Sequence, residues 1–199
     1  MFLRIPQPRA GANERAPERQ VNRYRPSRKR PLLQLTEEPP QWNLLSRPRH
    51  LAGPVIRGFG RGARKLGFPT ANLDTRAPQV AEVLATLTPG VYAGYAAVLR
   101  PEGAPWPGEN VTDWYRAAVN VGYVPSFDNR ELSIEAHLLH EFSEDFYGAQ
   151  MHLVLLAYLR PERKFVAIDA LVAQIKHDIA STKRVLEELP FVPSACMFE

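Results

Sequence analysis

The sequence predicts a mainly β fold, a closed or nearly closed antiparallel barrel with one amphipathic helix packed on it near the C-terminus. Two observations predict this class. From Arg49 onward, short apolar runs are separated by Gly and Pro, a pattern typical of short strands joined by turns. Near the C-terminus, apolar residues recur at intervals of three, four and seven, which is the repeat of a helix face. We expect the barrel to close because closure removes the open edges that short strands otherwise leave.

The strands and the helix can be assigned in chain order. The candidate strands are 53–58, 90–99, 115–122, 132–140 and 151–159. Between the second and third of them, residues 101–113 are rich in Pro and Gly and predict an exposed hairpin insertion. The helix is predicted over residues 167–188, and its apolar face consists of Ile168, Leu171, Val172, Ile175, Ile179 and Leu186.

The chain has 199 residues, of which 45% are hydrophobic, and this suits one domain with an extension. Residues 1–48 contain eight prolines and scattered arginines, and they predict a disordered basic extension. The domain is then expected over 49–190, with a tail over 191–199. The Arg-rich start is also a feature of mitochondrial transit peptides, but Glu14 and Glu18 interrupt it. We expect a cytoplasmic protein, with a mitochondrial location as the alternative.

The formal charge of +4 is unevenly distributed. Residues 1–50 contain 11 Lys and Arg against 4 Asp and Glu, whereas residues 51–199 contain 14 against 17. The acidic balance of the predicted domain argues against a nucleic-acid-binding fold. The single cysteine, Cys196, allows no internal disulfide and no cysteine-based metal site, which fits a reducing compartment. No apolar run approaches the roughly 20 residues of a membrane helix, so no membrane partner is expected.

The first segment with chemical potential is the glycine-rich run RGFGRGAR, from Arg57 to Arg64. Glycines let backbone N–H groups approach phosphate oxygens, and arginines add positive charge. The run lacks the spacing and the terminal Gly-Lys-Ser/Thr of a Walker A loop. Taken alone, it favours a flexible turn, with RNA contact as a minor alternative.

The second segment is LGFPTANL, which contains Thr70 and Asn72. In an extended chain, residues two apart point to the same side, so both oxygens would face one ligand. A hydroxyl and an amide carbonyl are hard ligands that suit Mg²⁺, but both are neutral, so the ion should arrive bound to ATP phosphates. An isolated PTAN more often forms an ordinary turn.

The third segment is LSIEAHLLH, in which alternation separates an apolar face from Ser133, Glu135 and His137. A lone carboxylate in a strand is most often a solvent-facing residue. If Glu135 instead faces a ligand cavity, it is placed to accept a proton from a substrate hydroxyl. His137 and His140 have no convincing metal partner, and from the residues alone both are expected to be hydrogen-bonded structural residues.

Taken together, in this order and spacing, these segments resemble riboflavin kinases, and the eukaryotic monofunctional type in particular. The resemblance covers residues 49–188. The matching pieces are VIRGFGRGARKLGFPTANL (55–73), GVYAGYA (90–96), AVNVGYVPSF (118–127), IEAHLLHEFSEDFYG (134–148), YLRPERKF (158–165) and IDALVAQIKHDI (168–179). A histidine at position 140, followed by the EDFYG run, resembles the eukaryotic members. Bacterial relatives commonly have Asp at the position of His140.

The resemblance implies a six-stranded Greek-key barrel with the C-terminal helix against it. ATP would bind at one end and the isoalloxazine ring at the other. The implied reaction makes FMN and ADP from riboflavin and ATP, with Mg²⁺ as the metal and Zn²⁺ or Mn²⁺ as alternatives. A monomer acting on these small molecules is expected.

The resemblance also implies roles for individual residues. Gly58 and Gly60 would cover the ATP phosphates with Arg64, which stands where the family usually has Lys. That exchange keeps the charge but changes the donor geometry. Thr70 and Asn72 would ligate magnesium, with Thr70 also touching phosphate, and Glu135 would be the catalytic base. Residues near the flavin would be Leu138, His140, Arg160, Arg163 and Phe165.

Two of these positions conflict with strand parity. Leu138 and His140 fall on the face opposite Glu135, so a flavin contact would need backbone atoms, a bulge or the strand end. The kinase interpretation as a whole requires Thr70, Asn72 and Glu135 to converge in one cavity.

Two other functions are compatible with such a barrel. A non-catalytic flavin-binding barrel is disfavoured by the intact set of Thr70, Asn72 and Glu135. A barrel that binds single-stranded nucleic acid is disfavoured by the acidic balance of residues 51–199. A second, FAD-forming activity is not expected, because the chain is too short for another nucleotide-binding domain.

Overall fold

The computed structural model describes residues 42–58, 63–100, 102, 113–124, 131–189 and 193. These residues form a closed barrel of six antiparallel strands, in the order β1-β2-β5-β4-β3-β6 around its circumference. The strands are β1 (Asn43–Ile56), β2 (Ala71–Leu73), β3 (Gly90–Leu99), β4 (Tyr115–Tyr123), β5 (Leu132–Leu138) and β6 (Gln150–Arg160). The helices are α1 (Pro78–Leu84), α2 (Ile168–Glu188) and a 3₁₀ turn (Ala63–Leu66).

The strand order contains a Greek key. Strands β3, β4 and β5 are consecutive neighbours, and the longer connection after β5 brings β6 back to lie beside β3. The predicted six-stranded Greek-key barrel with a C-terminal helix is therefore confirmed. Within the described part of the chain, no helix has the length and apolarity that crossing a membrane requires.

Side chains fill the interior of the barrel. In β5, Ile134 and Ala136 are completely buried, whereas Glu135 and His137 on the opposite face are partly exposed. Other fully buried side chains are Leu51, Val119, Met151, Leu153 and Leu155. A six-stranded barrel has room inside for little more than its own side chains, so a substrate must bind on the outer surface.

Helix α2 packs on the outside of the barrel. Val185 and Leu186 are buried against a second apolar cluster, which includes Val91, Val154 and Ala157 of β3 and β6. The helix is found where its repeat predicted it. Because it borders the outer surface, it can also contribute walls to a surface cavity.

The structure differs from the predicted elements at β1 and β2, and it adds helix α1, which was not predicted. Strand β1 begins at Asn43, so residues 43–48, which we predicted as extension, are strand. Pro48 lies where the pairing of β1 with β6 shifts register, and such an irregularity is where a strand tolerates proline. Strand β2 is only three residues long, too short to show a period. Residues 1–41 and most of the 101–113 insertion lie outside the described residues.

Candidate active site

Three polar residues lie side by side on three neighbouring strands. Asn72 of β2 pairs with Glu135 of β5, and Glu135 pairs in turn with Asn120 of β4. Directly opposed residues of an antiparallel pair share a face, and strands are about 4.8 Å apart. The flanking residues of all three strands point into the core: Ala71, Leu73, Ile134, Ala136, Val119 and Val121. Asn72, Glu135 and Asn120, here called the polar row, therefore point outward.

The backbone at Gly58 packs against Asn72 and shields this end of the polar row from solvent. Asn72 is only 9% exposed, although it lies on the outer face of the barrel. A Cβ atom at position 58 would overlap the amide of Asn72, so Gly58 is required there for close approach. The predicted loop residue and the predicted metal ligand are thus in direct contact.

The segment before β2 is tied to β5 by His137. Its Nδ1 atom lies 2.8 Å from the carbonyl oxygen of Pro69, and a carbonyl can only accept a hydrogen bond, so Nδ1 carries the proton. The ring also makes an edge contact with Phe68, with centroids 5.9 Å apart. His137 thereby holds the backbone immediately before Thr70, and the structural role expected of it is confirmed.

A cavity of about 1350 Å³ opens over Asn72 and Glu135, whereas Asn120 of the polar row lies outside its lining. Five residues singled out in the sequence line it together: Gly58, Arg64, Thr70, Asn72 and Glu135. Ile179 and Lys183 of α2 form part of another wall. The convergence that the kinase interpretation requires is therefore present. Gly60, the remaining residue predicted at the phosphates, lies outside the described residues.

Two cationic contacts cross the rim of this cavity. Arg64 donates to both carboxylate oxygens of Asp145, over 3.0 Å from Nη1 and 2.7 Å from Nη2. These hydrogen bonds lower the pKa of Asp145 below its ordinary value. Nearby, the guanidinium of Arg57 lies 4.3 Å from the ring centroid of Tyr147. Both contacts join the β1–β2 connection to the β5–β6 connection.

An aromatic cluster forms the floor near the end of β5. The rings of His140 and Tyr115 are stacked 4.1 Å apart, and Phe142 makes an edge contact with His140 at 4.8 Å. Leu138 points into the core, as the alternation along β5 predicted. His140 lies beyond the last residue of β5, so the alternation does not determine which way its side chain points. Both line the cavity that contains Gly58 and Arg64.

The other three residues expected near the flavin are not in this cavity. Arg160 and Arg163 line a separate cavity of about 450 Å³, and Phe165 lines neither cavity. The guanidinium of Arg160 donates to Asp178 over 2.6 Å and 2.8 Å, and this pair is 15% and 8% exposed. Arg160 also donates to the Pro161 carbonyl oxygen over 2.9 Å. Its side chain is therefore engaged within the fold.

Sequence reasoning missed several residues of the site. Asn120, Asp145 and Tyr147 lie within stretches that carried the family resemblance, but no local pattern distinguishes them from their neighbours. Their positions depend on strand register and on contacts between distant loops. Among the described residues, no group of three or more His, Cys, Asp and Glu side chains could hold a metal ion.

A family model and the curated relatives point to one family. Residues 45–186 match the family model "Flavokinase: Riboflavin kinase". The chain is 36% identical over 140 residues to the riboflavin kinase of Homo sapiens, covering 70% of this chain and 82% of that protein. It is 38% identical over 152 residues to a bifunctional riboflavin kinase/FMN phosphatase of Arabidopsis thaliana, covering 76% of this chain. The matched region spans only 36% of the Arabidopsis protein.

A solved structure points the same way. The crystal structure of riboflavin kinase from Trypanosoma brucei superposes with a TM-score of 0.53 and 28% sequence identity. The match covers 73% of this chain and 92% of the trypanosomal one.

Proposed function

The chain belongs to the riboflavin kinase family, and we propose that it transfers the γ-phosphoryl group of MgATP to the 5′-hydroxyl of riboflavin, with FMN and ADP as products. One observation carries the proposal: the carboxylate of Glu135 lies beside Asn72 in the polar row, in the same cavity as Thr70 and Arg64. Phosphoryl transfer demands mainly positioning and charge stabilisation from a protein, and this arrangement supplies both.

The donor nucleotide would lie on the β2 side of Glu135. The Thr70 hydroxyl and the Asn72 amide oxygen fit Mg²⁺, which prefers oxygen ligands, and the cover of Gly58 keeps Asn72 in place. Both ligands are neutral, so the phosphates must supply the negative charge. When bound, the ion would offset charge on the β- and γ-phosphates. Zn²⁺ and Mn²⁺ remain alternatives that metal substitution can distinguish.

Arg64 would add positive charge on the same side. Its present partner, Asp145, lies on the exposed rim, so an ATP phosphate can replace that carboxylate without leaving a buried charge behind. The bidentate grip on Asp145 is the geometry that a guanidinium also offers to phosphate. Leu138 and His140 line the same cavity as Glu135, and they would contact the flavin from the end of β5, Leu138 through its backbone atoms.

Glu135 would act as the general base. The riboflavin 5′-oxygen attacks the γ-phosphorus as the bond to the bridging oxygen of ADP breaks, and the hydroxyl proton passes to the Glu135 carboxylate. On the flavin side, Arg160 would anchor the start of the 161–165 segment through Asp178, while Arg163 and Phe165 of that segment meet the ring. We assign Arg160 an anchoring role, and not a flavin contact, because its guanidinium already donates two hydrogen bonds to Asp178.

The test is incubation of the full chain with riboflavin, ATP and Mg²⁺, followed by chromatography. FMN should accumulate only when all three are present, and a chelator should stop it. Parallel reactions with Mn²⁺ or Zn²⁺ rank the metals. Riboflavin binding without any FMN formation would contradict the proposal and leave a non-catalytic flavin-binding barrel.

A further inference from the structure

Building on the proposed function, we infer that Asn120 is the acceptor-binding residue of the polar row, with its side-chain amide bound to a ribityl hydroxyl of riboflavin. The hydroxyl held in this way would direct the neighbouring 5′-hydroxyl towards Glu135. Asn120 would then be the counterpart, on the acceptor side, of Asn72 on the donor side.

The first argument is the order of the polar row. Every residue assigned to the nucleotide lies on the β2 side of Glu135 or in the loops next to it, whereas Asn120 lies on the β4 side. In-line transfer needs the acceptor oxygen opposite the leaving ADP. Strands are about 4.8 Å apart, so Asn120 lies about one spacing from Glu135 and about two from Asn72. That span fits a γ-phosphate, an attacking oxygen and the next hydroxyl of the acceptor.

The second argument is a notch beside Asn120. Gly122 lies two residues further along β4, on the same outward face, and a Cβ atom there would come within 2.9 Å of the Asn120 amide nitrogen. The same Cβ would overlap the Glu162 carboxylate, so one oxygen of Glu162 occupies this notch. The notch therefore accommodates an oxygen atom next to an amide donor, which is the environment that a hydroxyl requires.

The third argument is that Glu162 is easily displaced. Its side chain is exposed and belongs to the segment that follows β6, the same segment that contains Arg163 and Phe165. A ribityl hydroxyl can replace its oxygen without leaving a buried charge. Asparagine is unfavourable within strands, and along β4 the outward neighbours of Asn120 are the small residues Ala118 and Gly122, which leave room beside its amide.

The experiment compares steady-state kinetics of the wild-type full chain with two matched variants, Asn120→Ala and Asn72→Ala. Loss of one substrate hydrogen bond corresponds to about a tenfold change in affinity. For Asn120→Ala, the KM for riboflavin should rise about tenfold while the KM for MgATP stays within about twofold. For Asn72→Ala, the KM for MgATP should rise and the KM for riboflavin should remain unchanged.

Gly122→Ala provides a second variant that leaves Asn120 in place. The nearest atoms to the added methyl group belong to the ends of two side chains, which can move, so the fold should persist while the notch is filled. Its KM for riboflavin should also rise. An unchanged riboflavin KM in either variant, or equal rises for both substrates, would overturn the role of Asn120. A wild-type chain that makes no FMN would instead refute the proposed function, and thermal melts separate both outcomes from misfolding.

Discussion

Two regions on the outer surface of the barrel are centred on carboxylates and are built in opposite ways. Around Glu135, amides from two neighbouring strands flank the carboxylate, and Asn72 and Glu135 line a cavity of about 1350 Å³. Around Asp178, the carboxylate is gripped by Arg160 at 2.6 Å and 2.8 Å and also accepts from Gln174 at 2.9 Å. Helix α2 borders both regions, since Lys183 faces the first cavity and Asp178 the second.

The two carboxylates differ in their surroundings: side chains of the fold surround one, and the other lines a cavity. The Asp178 carboxylate accepts three hydrogen bonds from side chains of the fold, so its charge stabilises the attachment of α2 to the end of β6. Glu135 lines a cavity large enough for substrates, where we propose that it acts on the acceptor. Substitutions at the two sites should therefore separate catalysis from stability.

The largest expected effect is on turnover. Glu135→Gln keeps the shape of the side chain but removes the base, and general base catalysis is typically worth about 100- to 10,000-fold in rate. We expect kcat for FMN formation to fall by that factor, with substrate KM values and the melting temperature nearly unchanged. Near-normal turnover of the variant would remove Glu135 from the base role.

The second effect is on stability. Asp178→Ala leaves the guanidinium of Arg160 without its carboxylate partner in a region that is only 15% exposed. Loss of one partner of a buried ion pair costs about 3 kcal/mol in free energy of unfolding. Urea denaturation should detect this loss. Glu188→Ala is the matched control, because it breaks an exposed pair with Arg184 and should change stability little.

A smaller effect is expected at Gly58, whose backbone packs against Asn72 of the polar row. In Gly58→Ala, the new methyl group displaces the amide of Asn72 rather than the backbone, so the KM for MgATP should rise about tenfold with the fold intact. Gly67→Ala is the contrasting control: its methyl group meets nothing within 4 Å, but φ is +85°. That variant should lose stability, by about 1 kcal/mol, rather than affinity. If both variants behave alike, the contact between Gly58 and Asn72 has no role in binding.

The smallest effect concerns the rim pair of Arg64 and Asp145. Because Arg64 lowers the pKa of Asp145 in the folded protein, the pair stabilises the rim above the ordinary carboxyl value of 3.8 and is lost as pH falls through the lower folded value. Carbon-detected NMR titration should show this depressed midpoint. In Arg64→Gln the midpoint should move up towards 3.8, the ordinary value. An unchanged midpoint would mean that another group controls the Asp145 carboxyl.

Local patterns in the sequence determined much of the fold. The alternation around Glu135 predicted which side chains of β5 face the core, and the helical repeat predicted α2, because both periods are complete within a few residues of chain. The resemblance of the motifs to riboflavin kinases, rather than any local pattern, brought Thr70, Asn72 and Glu135 together as one hypothesis. Strand β2 escaped prediction, since three residues cannot display a period.

Only the tertiary structure decided the partners. Asn120 stands beside Glu135 because of the register in which β4 pairs with β5. Arg64 meets Asp145 across 81 residues of chain, and Arg160 is held by Asp178 on a helix that packs from outside. The physical reason is that a residue's own neighbours along the chain determine its local conformation and the face on which it lies. Strand register and loop contacts, which bring distant segments together, determine which group it touches.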